Sequence, residues 1–290
     1  MPYGYEKYRL ENNISPNTTR TEVRVINELI AFVNFKYKKE IEPRDIKPID
    51  IREFLLEQKK ERNLKDATLN RKIITIKNWY DFLWKINKVE RDFMPKFSLP
   101  GKLDKTKENI SIDYGYLLSK KREILQSNHI RLYAKMLFIL YMRGFRVRDI
   151  VQITLNHIKD TGDRITIKIE KSNGCIQVAE FIDEEIGVIL DCMERAVFRG
   201  TSYLLSSKVN DEYIPLQLGS FKDYINSLKD GLGVPFKSEQ IRLAYVHYLY
   251  TKENLRAEEL QEILGLSLPS VTLSIKEALE RVQVIHYNEQ

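Results

Sequence analysis

The chain has 290 residues with a formal net charge of +6, and 43% of its side chains are apolar and 30% charged; this is the composition of a globular protein long enough for two domains, each with its own core. Residues 1–100 hold 21 Lys and Arg against 15 Asp and Glu, whereas residues 101–290 hold 26 of each, so the whole excess lies in the first third and points to a polyanionic partner met there. Two cysteines, Cys175 and Cys192, and four histidines are too few and too scattered for a disulfide framework or a zinc site, so neither a metal nor a cofactor is expected.

The longest apolar run, around Met136 to Met142, is too short to span a bilayer, and Met1 to Lys7 carries no apolar signal core, which argues for a cytoplasmic protein without a membrane partner. From Thr18 to Lys38, Val23, Ile26, Ile30, Val33 and Tyr37 recur three and four apart and mark one helix face, with Ser15-Pro16-Asn17-Thr18 as its start signal. A second helix is expected from about Asp50 to Arg62, with Ile51, Phe54 and Leu55 inward and Lys59, Lys60 and Arg62 at the end where cations complement the helix dipole. A third, from Thr68 to about Asn87, puts Leu69, Ile73, Ile76, Tyr80 and Leu83 on one stripe. Lys72 and Lys77 fall elsewhere around it. Aromatics at this spacing, such as Trp79 and Phe82, are more often core than interface.

Pro95, Pro100 and Gly101 then bracket a stretch of little apolar content that includes Lys102, Lys105 and Lys107, which reads as a linker. The expected organisation is therefore a helical domain over 1–95, a linker over 96–109 and a mainly helical domain over 110–290. Within the second domain, Arg164 to Lys171 alternates with β-branched residues and is followed by Ser172-Asn173-Gly174 and a second run from Ile176 to Ile182. That is a hairpin.

Arg143-Gly144-Phe145-Arg146 followed by Val147-Arg148-Asp149-Ile150 resembles the first arginine box of the tyrosine recombinase (phage integrase) family, where a helix ends in Thr-Gly-Leu-Arg. Upstream, Thr68-Leu69-Asn70-Arg71 and the aromatic stretch Trp79-Tyr80-Asp81-Phe82-Leu83 are similar to the third helix of that family's core-binding domain. Lys171 matches the lysine that the family places in a hairpin turn near the scissile phosphate, although Ser172-Asn173-Gly174 replaces the usual second lysine and arginine. Glu239-Gln240-Ile241-Arg242-Leu243 stands where the family reads His-x-Leu-Arg-His, so Arg242 is kept and both histidines are lost. Ile263-Leu264-Gly265-Leu266 resembles its Leu-Gly-His, with Leu266 at the histidine or tryptophan position. Nine residues on, Ile275 occupies the place of the nucleophilic tyrosine.

The resemblance implies a mainly α, two-domain integrase-like fold: a helical core-binding domain and an α-rich catalytic-like domain with a small antiparallel sheet, closing around duplex DNA. It assigns DNA contacts to Arg146, Lys171 and Arg242, with Arg71, Lys72, Lys77, Lys102 and Lys105 as further candidates. Arginine suits the first task because its fork grips phosphate oxygens bidentately. With Glu239, Leu266 and Ile275 in place of the proton-handling groups and the nucleophile, no catalytic residue remains, and the implied function is sequence-specific DNA binding without cleavage, in the manner of integrase-fold prophage repressors. The competing enzyme reading needs a displaced tyrosine such as Tyr287, and a third reading is a protein-interaction module with a regulatory protein partner.

Local alternatives stand beside these assignments. Arg242 could pair with Glu239 at i,i+3, and His247 reads as a partly buried helix histidine. Ala257 to Ser267, then Ser270 and Val271, also looks like a helix-turn-helix with Ser270, Thr272 and Lys276 outward. Against that, Val271, Ile275, Leu279 and Val282 form one apolar stripe, expected of a terminal helix packed on its own or another subunit's body and hence a route to self-association.

Overall fold

A computed structural model describes residues 3–99, 109–110, 112–171, 173–233 and 236–282. The chain divides into two compact units, Met1–Thr106 and Lys107–Gln290, so the division falls inside the expected linker. Lys102, Lys105 and Lys107 lie outside the described residues. The near edge of that linker belongs to the first unit: a 3-10 turn covers Met94–Lys96, and Met94 and Phe97 are buried in its core.

The first unit contains α1 (Tyr5–Glu11), α2 (Pro16–Tyr37), α3 (Pro48–Arg62) and α4 (Asp66–Lys85). The Ser15 side chain accepts a hydrogen bond from the Thr18 amide at 3.2 Å and Pro16 opens α2, as the start signal requires. The α2 face is rotated from the expected one. Glu22, Val25, Ile26, Leu29 and Val33 point inward, while Val23 and Ile30 are half-buried and Tyr37 is exposed. The cause is α1, seven residues with no readable period, which packs on α2; the Tyr5 hydroxyl donates to Glu22 at 3.0 Å and Arg9 forks onto the same carboxylate at 2.7 Å through both nitrogens. The stripes of α3 and α4 are as expected, with Ile51, Phe54, Leu55, Leu69, Ile73, Ile76, Tyr80 and Leu83 buried and Trp79 and Phe82 among them. Those aromatics are core.

The second unit contains α5 (Tyr114–Gln126), α6 (Leu132–Met142), a single turn α7 (Val147–Ile150), β1 (Ile158–Asp160), β2 (Ile165–Glu170), β3 (Ile176–Phe181), α8 (Glu184–Phe198), β4 (Ser206–Val209), β5 (Glu212–Pro215), α9 (Leu218–Leu232), α10 (Ser238–Thr251), α11 (Ala257–Leu264) and α12 (Leu268–Arg281). Helix α6 is apolar all round because it is buried all round, packed by α8, α9 and α10. Strands β1, β2 and β3 form an antiparallel sheet in which Ile165, Ile167 and Ile169 alternate inward opposite Phe181, Ala179 and Gln177. A second hairpin, β4 with β5, turns on Asn210 and Asp211, both at positive φ, a two-residue turn that the right-handed twist of paired strands favours. The inward face of α12 is Val271, Ser274, Ile275 and Ala278, and Leu279 is half exposed. This corrects the expected stripe: eight helical steps carry a side chain about 80° off the starting direction, seven steps only about 20°.

Candidate functional site

Three segments distant in sequence bring their cations together in the second unit. Helix α6 ends at Met142 with Arg143 as its cap, and Gly144, at φ +74°, reverses the chain; a Cβ there would lie 2.9 Å from Leu264 and 3.3 Å from the Tyr245 ring, so only glycine permits the turn. Two carbonyls at this helix end are capped from elsewhere: Tyr114 donates to the Met142 carbonyl at 2.7 Å and Gln177 of β3 to the Arg143 carbonyl at 3.0 Å. The Arg143 guanidinium is drawn away over the Phe181 ring to the fully buried Glu185, at 2.9 Å. After buried Phe145, Arg146 caps α7, its amide donating to the Asp149 carboxylate at 3.4 Å.

Lys171 follows β2 and is buried, its ammonium 3.6 Å from Asp149 and donating to the carbonyl of Leu264 at the end of α11. That carbonyl is within reach because Gly265, at φ +56°, lies directly on β3, where a Cβ would come within 2.8 Å of the Gln177 backbone nitrogen. Arg242 projects from α10, and its Nη1 is buried with no hydrogen-bond partner among the described residues. Burial, then Arg146, holds Arg242 below the usual arginine range; burial, with Arg148 beside it, does the same for Arg146; and Lys171 is lowered to about 8, by burial first and by Arg146 and Arg242 against the pull of Asp149. Like charges held together around a buried lysine, the two arginines half-buried and one of their nitrogens unanswered, form a site short of an anion.

The remaining positions divide. Glu239 does not hold Arg242. Its carboxylate is two-thirds exposed and meets Arg281 at 3.4 Å, a guanidinium that also pairs with Glu277, so this i,i+3 pair yields to a bridge between α10 and the end of α12. Leu266 and Ile275 are both buried in the core of the unit. His247 is half-buried, lowered by burial, with the Thr251 hydroxyl 3.4 Å from its Nδ1. Helices α11 and α12 do make a helix-turn-helix outline around Gly265, with Ser270, Thr272 and Lys276 exposed. Tyr287 lies outside the described residues.

In the first unit, Lys72 is not a surface cation. It is buried on α4, donating to Glu28 at 2.7 Å and Gln58 at 3.0 Å, because the α4 position next to Ile73 faces the seam with α2 and α3. Lys77 is half-buried, whereas Arg71 is exposed beside a shallow cleft of about 410 Å³ lined by Asn17, Thr18, Thr21, Ile74 and Thr75. Thr18 and Thr21 at the start of α2 are uncharged, and in the sequence Thr18 stands out only as part of a helix start signal.

Residues 4–86 match the family described as phage integrase, N-terminal SAM-like domain. Over 132 residues the chain is 32% identical to tyrosine recombinase XerD of Rickettsia bellii (strain RML369-C), a match that takes in 45% of this chain and 43% of that one. The chain thus spans less than half the length of this curated relative. Among solved structures it is similar to a lambda integrase (residues 75–356) dimer bound to a core site, with a TM-score of 0.68 at 14% identity over 98% of this chain and 97% of that one. It is also similar to the XerH site-specific recombinase bound to palindromic difH substrate, with a TM-score of 0.63 at 16% identity over 97% and 83% of the two chains. The Tn1549 transposon integrase in complex with circular intermediate DNA gives 0.63 at 14% identity over 99% and 96%. At these identities the likeness is one of fold.

Proposed function

We propose that this chain, which belongs to the tyrosine recombinase family, binds duplex DNA through the phosphate-holding half of that family's site and does not cut it. The observation that carries this reading is the cluster of Arg146, Lys171 and Arg242, in which a buried guanidinium nitrogen has no partner. A phosphate is the anion of matching shape and charge, since an arginine fork takes two of its oxygens. Cleavage needs more: a nucleophilic hydroxyl, and acids and bases to move its proton. The side chains of Ile275 and Leu266 have no atom that can attack or carry a proton, and the Glu239 carboxylate is occupied by Arg281.

The finer reading is a transcriptional regulator, most simply a repressor, of a phage or other mobile element. A protein that keeps a recombinase's grip on its site and leaves both strands intact blocks whatever else would use that site. Phosphate contacts position such a protein without reading sequence, so target choice falls to other groups, with Arg71 and the adjoining α2 threonines as candidates in the first unit. Self-association through α12 belongs to the proposal, with exposed Leu273 and Leu279 as the surface a second copy would cover.

A nicked suicide substrate tests the central claim, because tyrosine-mediated transfer passes through a covalent protein–DNA adduct. We expect salt-sensitive binding and no adduct. An adduct mapped to Tyr287 would replace this reading with that of an active recombinase, and absence of salt-sensitive binding would leave an interaction module. Selection of bound fragments from the native genome then separates the roles: discrete sites upstream of genes support a regulator, and an attachment-like site with inverted arms supports recombination.

A further inference from the structure

Two oxygens hold Lys171 in the free protein: the Leu264 carbonyl at the end of α11 and the Asp149 carboxylate on α7. Its side chain is 3% exposed. Facing it are Arg146 from the turn before α7 and Arg242 from α10. Arg148 lies 3.6 Å from the other oxygen of Asp149, and Glu239 and Glu277 act on Arg242. The nearest buried group of opposite sign is thus one carboxylate for three cations. Arginine keeps its proton at any attainable pH, so the member of this cluster able to relieve the repulsion by losing one is the lysine.

A neutral lysine amine has two N–H bonds, one donated to the Leu264 carbonyl and one left to point at the Asp149 carboxylate 3.6 Å away; the ammonium adds a third N–H and the positive charge that a phosphate would attract. Resting on the reading that the cluster takes a DNA phosphate, we propose that phosphate binding here is proton-linked at alkaline pH: where Lys171 is a neutral amine, the phosphate entering between Arg146 and Arg242 draws one proton from solvent onto it, and the ammonium donates to a phosphate oxygen.

The sign follows from the field at Nζ. Burial and the two arginines push Lys171 down to about 8; a phosphate reverses that field and restores the ammonium toward its ordinary value of about 10.4. Binding therefore takes up little proton below about pH 7, where the lysine is already charged, and up to one proton between about pH 8 and 10. Over that window affinity should fall by up to about tenfold per pH unit at constant ionic strength.

The test uses the whole protein and a labelled random-sequence duplex. Anisotropy titrations at fixed ionic strength should show affinity flat at low pH and falling above about pH 8. Lys171→Arg, which carries a permanent charge, should bind with no such fall. Calorimetric titration of the parent in two buffers of different ionisation enthalpy counts the protons directly, and this readout does not depend on the variant folding. Uptake rising from near zero to most of one proton supports the proposal. Binding with no proton uptake across the range, or a pH profile that Lys171→Arg leaves unchanged, overturns it while DNA binding stands. No binding at any pH overturns both.

Discussion

The chain holds two kinds of buried charge cluster, and each unit supplies an example. The sets of the first unit are closed around their carboxylates: Glu22 by Arg9 and the Tyr5 hydroxyl, Lys72 by Glu28 and Gln58, and Asp50 by Lys36 at 2.6 Å, Tyr37 at 2.9 Å and the Lys47 amide at 2.9 Å. Glu185 of the second unit is closed in the same way by Arg143, and the Nε of Arg52 on α3 is a lone buried nitrogen with no partner and no second cation crowding it among the described residues. The cluster of Arg146, Lys171 and Arg242 in the second unit is open: it leaves a guanidinium nitrogen unanswered and three cations crowding one carboxylate. Burial alone does not separate a structural cation from a ligand-binding one, since Lys72 and Lys171 are about equally buried. Closure of the local charge does. A closed set spends its desolvation on holding the fold, and an open one keeps its attraction for an incoming anion.

The strongest way to break this comparison is to remove the open set. Arg146→Ala with Arg242→Ala should weaken DNA binding by about a hundredfold or more, from two charge-assisted hydrogen bonds of about 1.5–3 kcal/mol each. The slope of log affinity against log salt should shrink by about 1, for the one phosphate that the two arginines share. Thermal stability should hold or rise, because the deleted groups repel each other in the free protein. Unchanged binding by a folded double variant would mean that the cluster does not touch DNA.

The converse substitution is Glu28→Ala in the closed set, which strands Lys72 with Gln58 as its named partner. We expect a loss of about 2 kcal/mol of stability by denaturant titration, less than the roughly 3–5 kcal/mol for breaking a fully buried pair because Glu28 keeps some contact with water. Binding per folded molecule should be unchanged. A loss of affinity without loss of stability would return Lys72 to the interface.

The closed sets also set an acid limit on the first unit. Burial works against the ionised form of Asp50, but Lys36, the Lys47 amide and Tyr37 outweigh it, and its pKa is lowered; Glu28 is lowered too, with Lys72 and Arg62 outweighing burial. Carboxylates depressed in the folded state stabilise it above their unfolded values of about 4, and that contribution is lost as the pH falls through their lower folded values. Melting followed from pH 5 downward should therefore show a falling midpoint that Asp50→Asn flattens. An equally steep fall in that variant would put the acid sensitivity elsewhere.

The sequence made these regions legible to different depths. Helices α2, α3 and α4 were readable because each carries a long periodic stripe and, in α2, a start signal. Helix α1 was not, since seven residues hold no period and Tyr5 is buried through a partner 17 positions away. The β2–β3 hairpin announced itself by alternation. The β4–β5 hairpin has two four-residue strands, and only its Asn210-Asp211 turn could have revealed it. At the site, Arg146, Lys171 and Arg242 were named through the resemblance to a family's motifs, carried by their order and spacing, whereas the fate of each charge was hidden. That Lys72 is sealed by Glu28, 44 positions away, and that Glu239 turns to Arg281, depend on packing between helices, which spacing within one helix does not encode.

Glu239 gives the smallest expected effect. Its carboxylate is two-thirds exposed and engaged by Arg281, yet it still raises the pKa of Arg242, so its negative charge reaches the region a phosphate would enter. Had it held Arg242 directly, Glu239→Gln would have released that arginine and tightened binding markedly. With the carboxylate on Arg281, the substitution removes only a screened repulsion, and DNA affinity should rise by roughly twofold at low salt, with no change at high salt. Sequence preference should be unaffected, because the term acts on phosphate. The same substitution loosens the bridge to α12, so the amides at the end of that helix should exchange faster with solvent. Matched-salt titrations on specific and random duplexes, with hydrogen exchange on α12, separate the two consequences. A tenfold gain in affinity without faster exchange would show that Glu239 acts on Arg242 and not on Arg281.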